Sequence, residues 1–287
     1  MKSFILASRP KTLPAAIVPV WVGCALTFYL TGSWDGWLAF YTVMGSIWIQ
    51  IATNFFNDAI DSDKGADTDK RLGPVRATAS GRLSRKTVYA SACICLLIAA
   101  GFGYPLFVAR GWPMIAIGLP SFYLAYGYTG GPLPLAYKGL GELFVILFFG
   151  LVAVAGTVFV QTGIWFTEAM IAGLGIGCLS AVLISINNLR DVDEDRRNGK
   201  NTLAVMWGRV ASVNLVRVMT VTAYACAIVL FESGLNLLYF LPAFLLGMFI
   251  ISRICKHPPG VIYNKFLAFS ALQLILYAGA FMMNTCI

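Results

Sequence analysis

Nine long stretches without a charged residue run through this chain, and they constrain its fold more than any other feature. A helix needs about 20 apolar residues to cross the hydrocarbon core of a membrane. Eight stretches reach that length unaided, and the seventh does so if the Arg217 side chain extends to the interface. They cover residues 12–34, 36–57, 87–109, 111–137, 143–167, 169–189, 218–231, 233–252 and 266–287. Because only helices or closed barrels satisfy every backbone group in lipid, the sequence predicts an all-α integral membrane protein with nine transmembrane helices.

The few charges that remain predict the orientation. Only 12% of the residues are charged, against roughly 25% in soluble domains. With nine crossings, 20 of the 21 lysines and arginines fall on the side of the N-terminus, and Arg110 alone falls on the other side. The positive-inside rule then predicts a cytoplasmic N-terminus and an outer C-terminus in the cell (inner or plasma) membrane. The same rule accounts for the net charge of +8, so nucleic acid is not needed as a partner.

Asparagines and aspartates share one face at the end of the second predicted helix. Asn54, Asn57, Asp58 and Asp61 are spaced i, i+3, i+4 and i+7, which makes them neighbours on a helix surface. Stacked carboxylates repel one another, and Mg²⁺, which prefers oxygen ligands, would relieve that repulsion. An isolated motif of this kind is equally consistent with a solvated acidic helix end.

A second acidic motif lies where the sixth predicted helix ends. Asn187, Asp191 and Asp195 follow one another at intervals of four and share a face. Both motifs fall on the predicted cytoplasmic side, where two facing acidic helix ends can hold a diphosphate through Mg²⁺. The single histidine, His257, and seven cysteines without metal-type spacing do not suggest another kind of metal site.

Basic residues lie beside both motifs, and a third segment falls on the same predicted side. Arg76, Arg190 and Lys200 can neutralise the charge of a departing diphosphate, although each also fits the topology rule. The segment 126–142 is rich in glycine and proline and forms either a tight turn or part of the same cleft. We therefore treat the chain as a single domain, 1–287, with motif loops at about 58–86, 129–142 and 190–209.

Taken together, these motifs resemble those of the UbiA superfamily of intramembrane prenyltransferases. The resemblance rests on NDxxD at 57–61, on NNxRDxxxD at 187–195 and on the nine predicted helices. Four segments are most similar to the branch that prenylates 1,4-dihydroxy-2-naphthoate in menaquinone biosynthesis: RPKTLP at 9–14, RLGPVR at 71–76, YTGGPLPLAYKGLGE at 128–142 and NNLRDVDEDRRNGKNTLAV at 187–205. Many superfamily members carry a third aspartate where this chain has Gly65, with Asp63 and Asp67 on either side.

The resemblance implies a fold, a reaction and a set of site residues. It implies helices around a central cavity that opens sideways to lipid. The implied reaction is Mg²⁺-dependent transfer of a polyprenyl group from polyprenyl diphosphate to the naphthoate, with loss of CO₂, giving demethylmenaquinone. The implied metal ligands are Asn57, Asp58, Asp61, Asp191 and Asp195. The candidate catalytic residues are Asp61, Asp191, Lys138 and Glu142, and the candidate substrate-binding residues are Arg9, Lys11, Arg76, Tyr128, Arg190 and Lys200.

Several alternatives stay open at this point. Another member of the superfamily would prenylate 4-hydroxybenzoate or homogentisate, or modify chlorophyll or haem. A secondary transporter would hold its ionisable residues near the membrane midplane, whereas these acids cluster at predicted cytoplasmic helix ends. Arg9 and Lys11 fit a bound carboxylate and membrane anchoring equally well, and Glu142 and Asp67 are candidates for assisting proton or CO₂ loss.

Overall fold

The computed structural model describes residues 2–65, 72–73, 76–231 and 234–286, and this part of the chain is helical, with turns and loops but no β-strand. We number the main helices in chain order. They are α1 (Lys2–Ser8), α2 (Pro14–Thr31), α3 (Gly36–Asp63), α4 (Arg85–Arg110), α5 (Trp112–Gly127), α6 (Gly141–Thr162), α7 (Thr167–Arg190), α8 (Val192–Arg197), α9 (Leu203–Leu230), α10 (Leu238–Lys256) and α11 (Tyr263–Cys286).

Seven of the described helices are long and apolar enough to cross a membrane: α2, α4, α6, α7, α9, α10 and α11. The prediction of an all-α integral membrane protein is therefore confirmed. The count of nine spans stays a prediction, as does the orientation. Helix α5 has 16 residues, fewer than the about 20 that a straight crossing needs, and α3 gives its last turns to the polar residues of the first acidic motif.

The ends of several helices are fixed by hydrogen bonds to backbone groups that would otherwise lack a partner. Asp35 begins α3, because its side chain accepts from the backbone N–H groups of Trp37 and Leu38 at 2.7 and 2.9 Å. At the end of α6, the Arg110 guanidinium donates to the carbonyl oxygens of Val160 and Gln161 at 2.7 and 2.8 Å. Arg110, the one basic residue that the predicted topology places on the other side of the membrane, thus caps the C-terminal end of α6.

Most of the buried apolar side chains form one large cluster around α7. That cluster includes Ile176, Leu179, Ile186 and Leu189 of α7 together with side chains of α2, α6, α9, α10 and α11. A smaller cluster lies between α3 and α4, where Phe55, Phe56, Val88 and Ala92 pack together. Helices α3 and α7 each pack into one of these apolar clusters. This packing fixes the positions of their polar C-terminal ends.

Helices α6 and α7 approach closely because glycines line their contact. A Cβ at Gly150 would lie 2.6 Å from the Gly177 Cα and would also meet the Gly173 carbonyl oxygen. Within α6, residues Ile146–Val152 form a π-helical segment, which lies at this contact. Small residues are the usual means of close helix packing in membranes, and here they set the distance between the middle of α6 and the N-terminal half of α7.

We predict that Gly150→Ala destabilises the protein by about 1–3 kcal/mol, because the added methyl group overlaps backbone atoms that cannot rotate away. Thermal unfolding in detergent measures the effect. The matched control is Gly156→Ala in the same helix, where a Cβ meets only the Ile117 side chain at an ordinary 3.6 Å. Equal melting temperatures for the two variants would contradict the assigned α6–α7 packing.

Candidate functional site

Asp61 lies at the C-terminal end of α3, where its carboxylate is buried between a cation and a phenol. Arg76 contacts one carboxylate oxygen through its Nη2 atom at 2.6 Å. The hydroxyl of Tyr137 donates to the other oxygen at 2.9 Å. Burying a carboxylate costs free energy unless it is paired and hydrogen-bonded. These two partners therefore offset the cost of burying Asp61.

Asp58, one turn earlier on α3, is used differently from Asp61. It is 1% exposed, and its two oxygens accept from the backbone N–H groups of Ala77 and Thr78 at 3.0 and 2.8 Å. These bonds anchor the chain directly after Arg76. In the structure, therefore, Asp58 positions the residue that pairs with Asp61.

The glycine- and proline-rich segment contacts the first motif at several points. The Asn57 amide oxygen accepts a short hydrogen bond from the Thr129 hydroxyl, and the Lys64 ammonium donates to the Thr129 carbonyl oxygen at 2.7 Å. The Lys64 ammonium also lies 3.7 Å from the centre of the Tyr137 ring, within cation–π range. This segment therefore lines the site around Asp61.

At the second motif, Arg190 holds the polar end of α7 together. Its guanidinium bonds both oxygens of Asp191, at 2.7 and 2.6 Å, and the Asn187 amide oxygen at 2.9 Å. It also donates to the amide oxygen of Asn264 at 2.7 Å. Asn264 in turn donates to the Leu72 carbonyl oxygen at 3.1 Å, which ties the second motif to the loop that follows the first.

Asp195 and Lys200 form the third buried pair, and it is the least saturated of the three. The Lys200 ammonium lies 3.4 Å from Asp195 Oδ1, while Asp195 Oδ2 is buried and has no hydrogen-bond partner within the described ranges. Burial raises the pKa of Asp195 to about 6, with Lys200 opposing the rise and Asp191 adding to it. This carboxylate gains more than its neighbours from an additional cation.

Lys200 connects the two motifs electrostatically. Burial by itself would lower the pKa of the Lys200 ammonium, but the charges of Asp195, Asp61 and Asp191 outweigh it and raise the pKa above its usual value. On the first motif, burial lowers the pKa of Lys64, which feels both Asp61 and Lys200. Carboxylates and cations from both motifs therefore act on one shared site.

Tyr128 and Glu142 border this site on the α6 side. Glu142 is buried, and its Oε1 atom accepts from the Asn188 amide at 2.9 Å and from the Ser185 hydroxyl at 3.3 Å. Burial raises the pKa of Tyr128 well above its usual value, and the charges of Glu142, Asp61 and Asp195 raise it further. The phenol is thus within electrostatic reach of acids of both motifs.

The donor groups of the two motifs suit a hard cation such as Mg²⁺. Asn57, Asp61, Asp191 and Asp195 would bind a cation through oxygen atoms, and Oδ2 of Asp195 has no bonding partner in the part of the chain that the structure describes. Within the described ranges, no three acidic, histidine or cysteine side chains come close enough to form a complete metal-ligand set. This arrangement fits Mg²⁺, which commonly takes one or two carboxylates and fills its shell with water and substrate phosphate oxygens.

The remaining predicted site residues lie in different surroundings. Lys138 is exposed, and its neighbour Tyr137 is the residue that contacts Asp61. Arg9 is partly buried in a left-handed turn (φ 49°). The Asn54 amide brackets that turn by donating to the Ser8 carbonyl and the Thr12 hydroxyl, both at 2.9 Å. The side chain of Lys11 lies outside the described part, as does Asp67.

Sequence reasoning missed Tyr137 and Lys64. Lys64 follows Asp61 by three residues, a spacing that places two helical side chains side by side, so a signal for it was present. Tyr137 lies in a loop with no periodic pattern, and only the folded chain brings its hydroxyl to Asp61.

Comparison with known proteins defines the class to which this fold and site belong. The family model described as the UbiA prenyltransferase family matches residues 16–280. The chain belongs to the UbiA prenyltransferase family, and the resemblance drawn from the motifs is confirmed.

Curated relatives narrow the comparison. The 1,4-dihydroxy-2-naphthoate octaprenyltransferase of Haemophilus influenzae is 31% identical, over 96% of this chain and 93% of the relative. The enzyme of the same name from Bacillus subtilis is 34% identical, over 79% of this chain and 73% of the relative. A solved UbiA homologue from Archaeoglobus fulgidus, bound to GPP and Mg²⁺, shares the fold with a TM-score of 0.73 at 13% identity, covering 99% of this chain and 100% of the homologue.

We predict that Asp58→Asn lowers the free energy of unfolding by about 1–3 kcal/mol. The asparagine keeps one acceptor oxygen, but its NH₂ group faces the backbone N–H of Ala77 or Thr78, and that N–H loses its acceptor. Thermal or denaturant unfolding in detergent measures the change. Asp63→Asn on the same helix is the control, since its ion pair with Arg85 is solvent-exposed and such pairs are worth about 0–1 kcal/mol. A larger loss for Asp63→Asn would contradict the anchoring role of Asp58.

Proposed function

We propose that this protein transfers a polyprenyl group from polyprenyl diphosphate to 1,4-dihydroxy-2-naphthoate with loss of CO₂, forming demethylmenaquinone in its hydroquinone form. The observation that carries the proposal is the convergence of two acidic helix ends with the buried Arg76 and the partly buried Lys200, and with the exposed Lys64 beside Tyr137. Such a site suits a metal-bound diphosphate. The names of the curated relatives support the naphthoate as acceptor.

The donor diphosphate lies, in this proposal, between the two motifs. Asn57, Asp61, Asp191 and Asp195 would hold Mg²⁺, which supplies positive charge to the diphosphate as the allylic C–O bond breaks. Asp58 supports the loop that carries Arg76 and is not needed as a direct ligand. Arg76 and Lys200 neutralise the leaving group, with Lys64 added from the structure, and Arg190 keeps Asp191 and Asn187 oriented.

The prenyl tail requires an apolar path away from the charged site. A cleft of about 550 Å³ opens between α2 and the first half of α3, lined by Trp21, Phe28, Trp34, Phe40 and Val43 among others. Val43 lies about 27 Å from Asp61 along α3, at 1.5 Å per residue. A polyprenyl chain gains about 0.8 kcal/mol for each CH₂ that leaves water, so we assign the distal isoprenoid units to this cleft and to the lipid beside it.

The acceptor enters on the other side of the diphosphate. We propose that Arg9, with Lys11 as the alternative, binds the naphthoate carboxylate, supported by the left-handed turn in which Asn54 and Thr12 hold the Arg9 backbone. We also assign Tyr128, whose phenol feels the charges of Asp61 and Asp195, to the acceptor site. Lys138, exposed beside Tyr137, would take part only by moving inward when substrate is bound.

The membrane arrangement is part of the proposal. We place all nine predicted helices across the bilayer, including α3 and α5, with the N-terminus and the active site on the cytoplasmic side of the cell membrane. The support is the distribution of lysine and arginine, since 20 of 21 fall on one side of such a topology. The acidic motifs lie on that same side.

The direct test is an assay of purified protein in detergent with Mg²⁺ and prenyl diphosphates of several lengths, offered 1,4-dihydroxy-2-naphthoate and 4-hydroxybenzoate in competition. We expect prenylation of the naphthoate, release of CO₂ in equal amount, and no turnover when EDTA removes the metal. Preference for 4-hydroxybenzoate would overturn the acceptor assignment. Turnover in EDTA would overturn the metal assignment.

We predict that Asp61→Asn and Asp191→Asn each lower kcat by at least about 100-fold, because each removes a charge from the metal site that stabilises the leaving group. Melting temperatures measured beside the assays show whether the variants remain folded. Asp193→Asn is the matched control, since Asp193 lies on α8 beside the motif but is exposed. Full activity of both motif variants would contradict the assignment.

A further inference from the structure

Glu142 is a buried acid whose carboxylate is only half satisfied. It is 4% exposed, at the start of α6, and Oε1 accepts from Asn188 and Ser185 of α7. Its other oxygen, Oε2, is buried and has no hydrogen-bond partner among the described residues. Among the described ion pairs, the buried ones hold Asp61, Asp191 and Asp195, and none includes Glu142. A carboxylate that is held firmly at one oxygen and free at the other is prepared to accept a proton from a ligand.

The position of Glu142 is next to the diphosphate site and outside it. A Cβ at Gly141 would lie 3.2 Å from the Tyr128 hydroxyl oxygen, so the Tyr128 phenol lies over the first turn of α6. Tyr128 in turn senses the charges of Glu142, Asp61 and Asp195. Glu142 therefore lies beside the second acidic motif, through Asn188, and close to Tyr128, on the α6 side of the site.

We propose that Glu142 Oε2 is the base that accepts the proton of a ring hydroxyl of the aromatic acceptor. The inference rests on the proposed function, because it assigns a residue to the acceptor of that reaction. The inference goes beyond the proposed function because it concerns proton transfer and not the metal, the diphosphate or the prenyl chain. Asn188 and Ser185 act as positioning residues that fix the carboxylate through Oε1.

The step balances without any further reactant. The allylic carbon first loses its bond to the diphosphate oxygen. The hydroxyl proton then moves to Glu142, and the electron pair of that O–H bond forms a C=O bond. At the same time the adjacent ring carbon forms the new bond to the allylic carbon. That ring carbon now carries the carboxylate next to a ketone, and CO₂ leaves with its bonding electron pair remaining on the ring as an enolate. The enolate oxygen takes the proton back from Glu142, which regenerates the hydroquinone and the carboxylate.

The central variant is Glu142→Gln, which keeps the shape and an acceptor oxygen for Asn188 but cannot take a proton. We expect kcat for prenylation to fall at least about 100-fold, the usual size of a lost general base. Breaking of the donor C–O bond is measured separately, in the presence of an unreactive acceptor analogue. The readout is the exchange of ¹⁸O between the bridging and non-bridging positions of the prenyl diphosphate. We expect that exchange to stay within about twofold of the wild type, since a residue outside the diphosphate site does not act on it.

Acceptors whose ring hydroxyls differ in acidity distinguish a proton-transfer role of Glu142 from a purely structural one. Electron-withdrawing substituents make the ring hydroxyl more acidic, so the deficit of Glu142→Gln should shrink steadily along such a series. A deficit that stays constant across the series would overturn the proposal, as would loss of ¹⁸O exchange together with prenylation. Wild-type activity in Glu142→Gln would overturn it as well.

Glu168→Gln is the matched control, because Glu168 is exposed at the opposite end of α7, and we expect it to keep full activity. If the wild type prenylates 4-hydroxybenzoate and not the naphthoate, the acceptor assignment fails. The Glu142 comparison is then run with substituted 4-hydroxybenzoates, where a shrinking deficit supports the base and a constant one overturns it.

Discussion

Three buried aspartates at helix ends, each facing a cation, are the constraint around which the polar end of this protein is built. Asp61 pairs with Arg76, Asp191 with Arg190, and Asp195 with Lys200. Moving a carboxylate out of water costs several kcal/mol unless a partner compensates for it. Two of the three cations lie in loops outside the helices that carry the acids, so the acids and the loops are ordered together. The Asp58 bonds to Ala77 and Thr78 add a fixed anchor to the first of these loops.

The three pairs differ in a way that matters for chemistry. Arg190 satisfies both oxygens of Asp191, whereas Asp195 keeps one buried oxygen that no described residue bonds. The site therefore contains an acceptor oxygen at one point and two ammonium groups, those of Lys64 and Lys200, around the Tyr137 ring. In the proposed reaction this asymmetry gives the metal a place to bind and leaves ammonium groups for the diphosphate. A fully neutralised set of pairs would offer neither.

The sequence predicted the helical membrane fold and the two acidic helix ends because both depend on local pattern. Freedom from charge marks a stretch that can lie in lipid, and spacings of three and four mark a shared helix face. The stretch 111–137 contained one predicted helix, but α5 ends at Gly127, and a turn and a short 3₁₀ helix (Leu135–Tyr137) follow it. Lack of charge permits a helix, but Gly131 adopts a positive φ of 72° and is followed by Pro132 and Pro134, so the helix does not continue. Spacing likewise placed Asp58 on the face of Asp61 without revealing that the backbone of Ala77 would occupy its oxygens.

The close contact of α6 with α7 links the apolar part of the fold to the reaction proposed for its polar end. Glycines at 150, 173 and 177 let the two backbones meet, and the same approach brings Asn188 and Ser185 within reach of Glu142 at the start of α6. With larger residues at the contact, α6 would stand away from α7 and Glu142 would lose the two donors that orient it. A carboxylate freed in this way would turn toward water or toward Lys200. The position of the acid thus depends on packing that lies several turns away, in a part of the sequence that carries no charge at all.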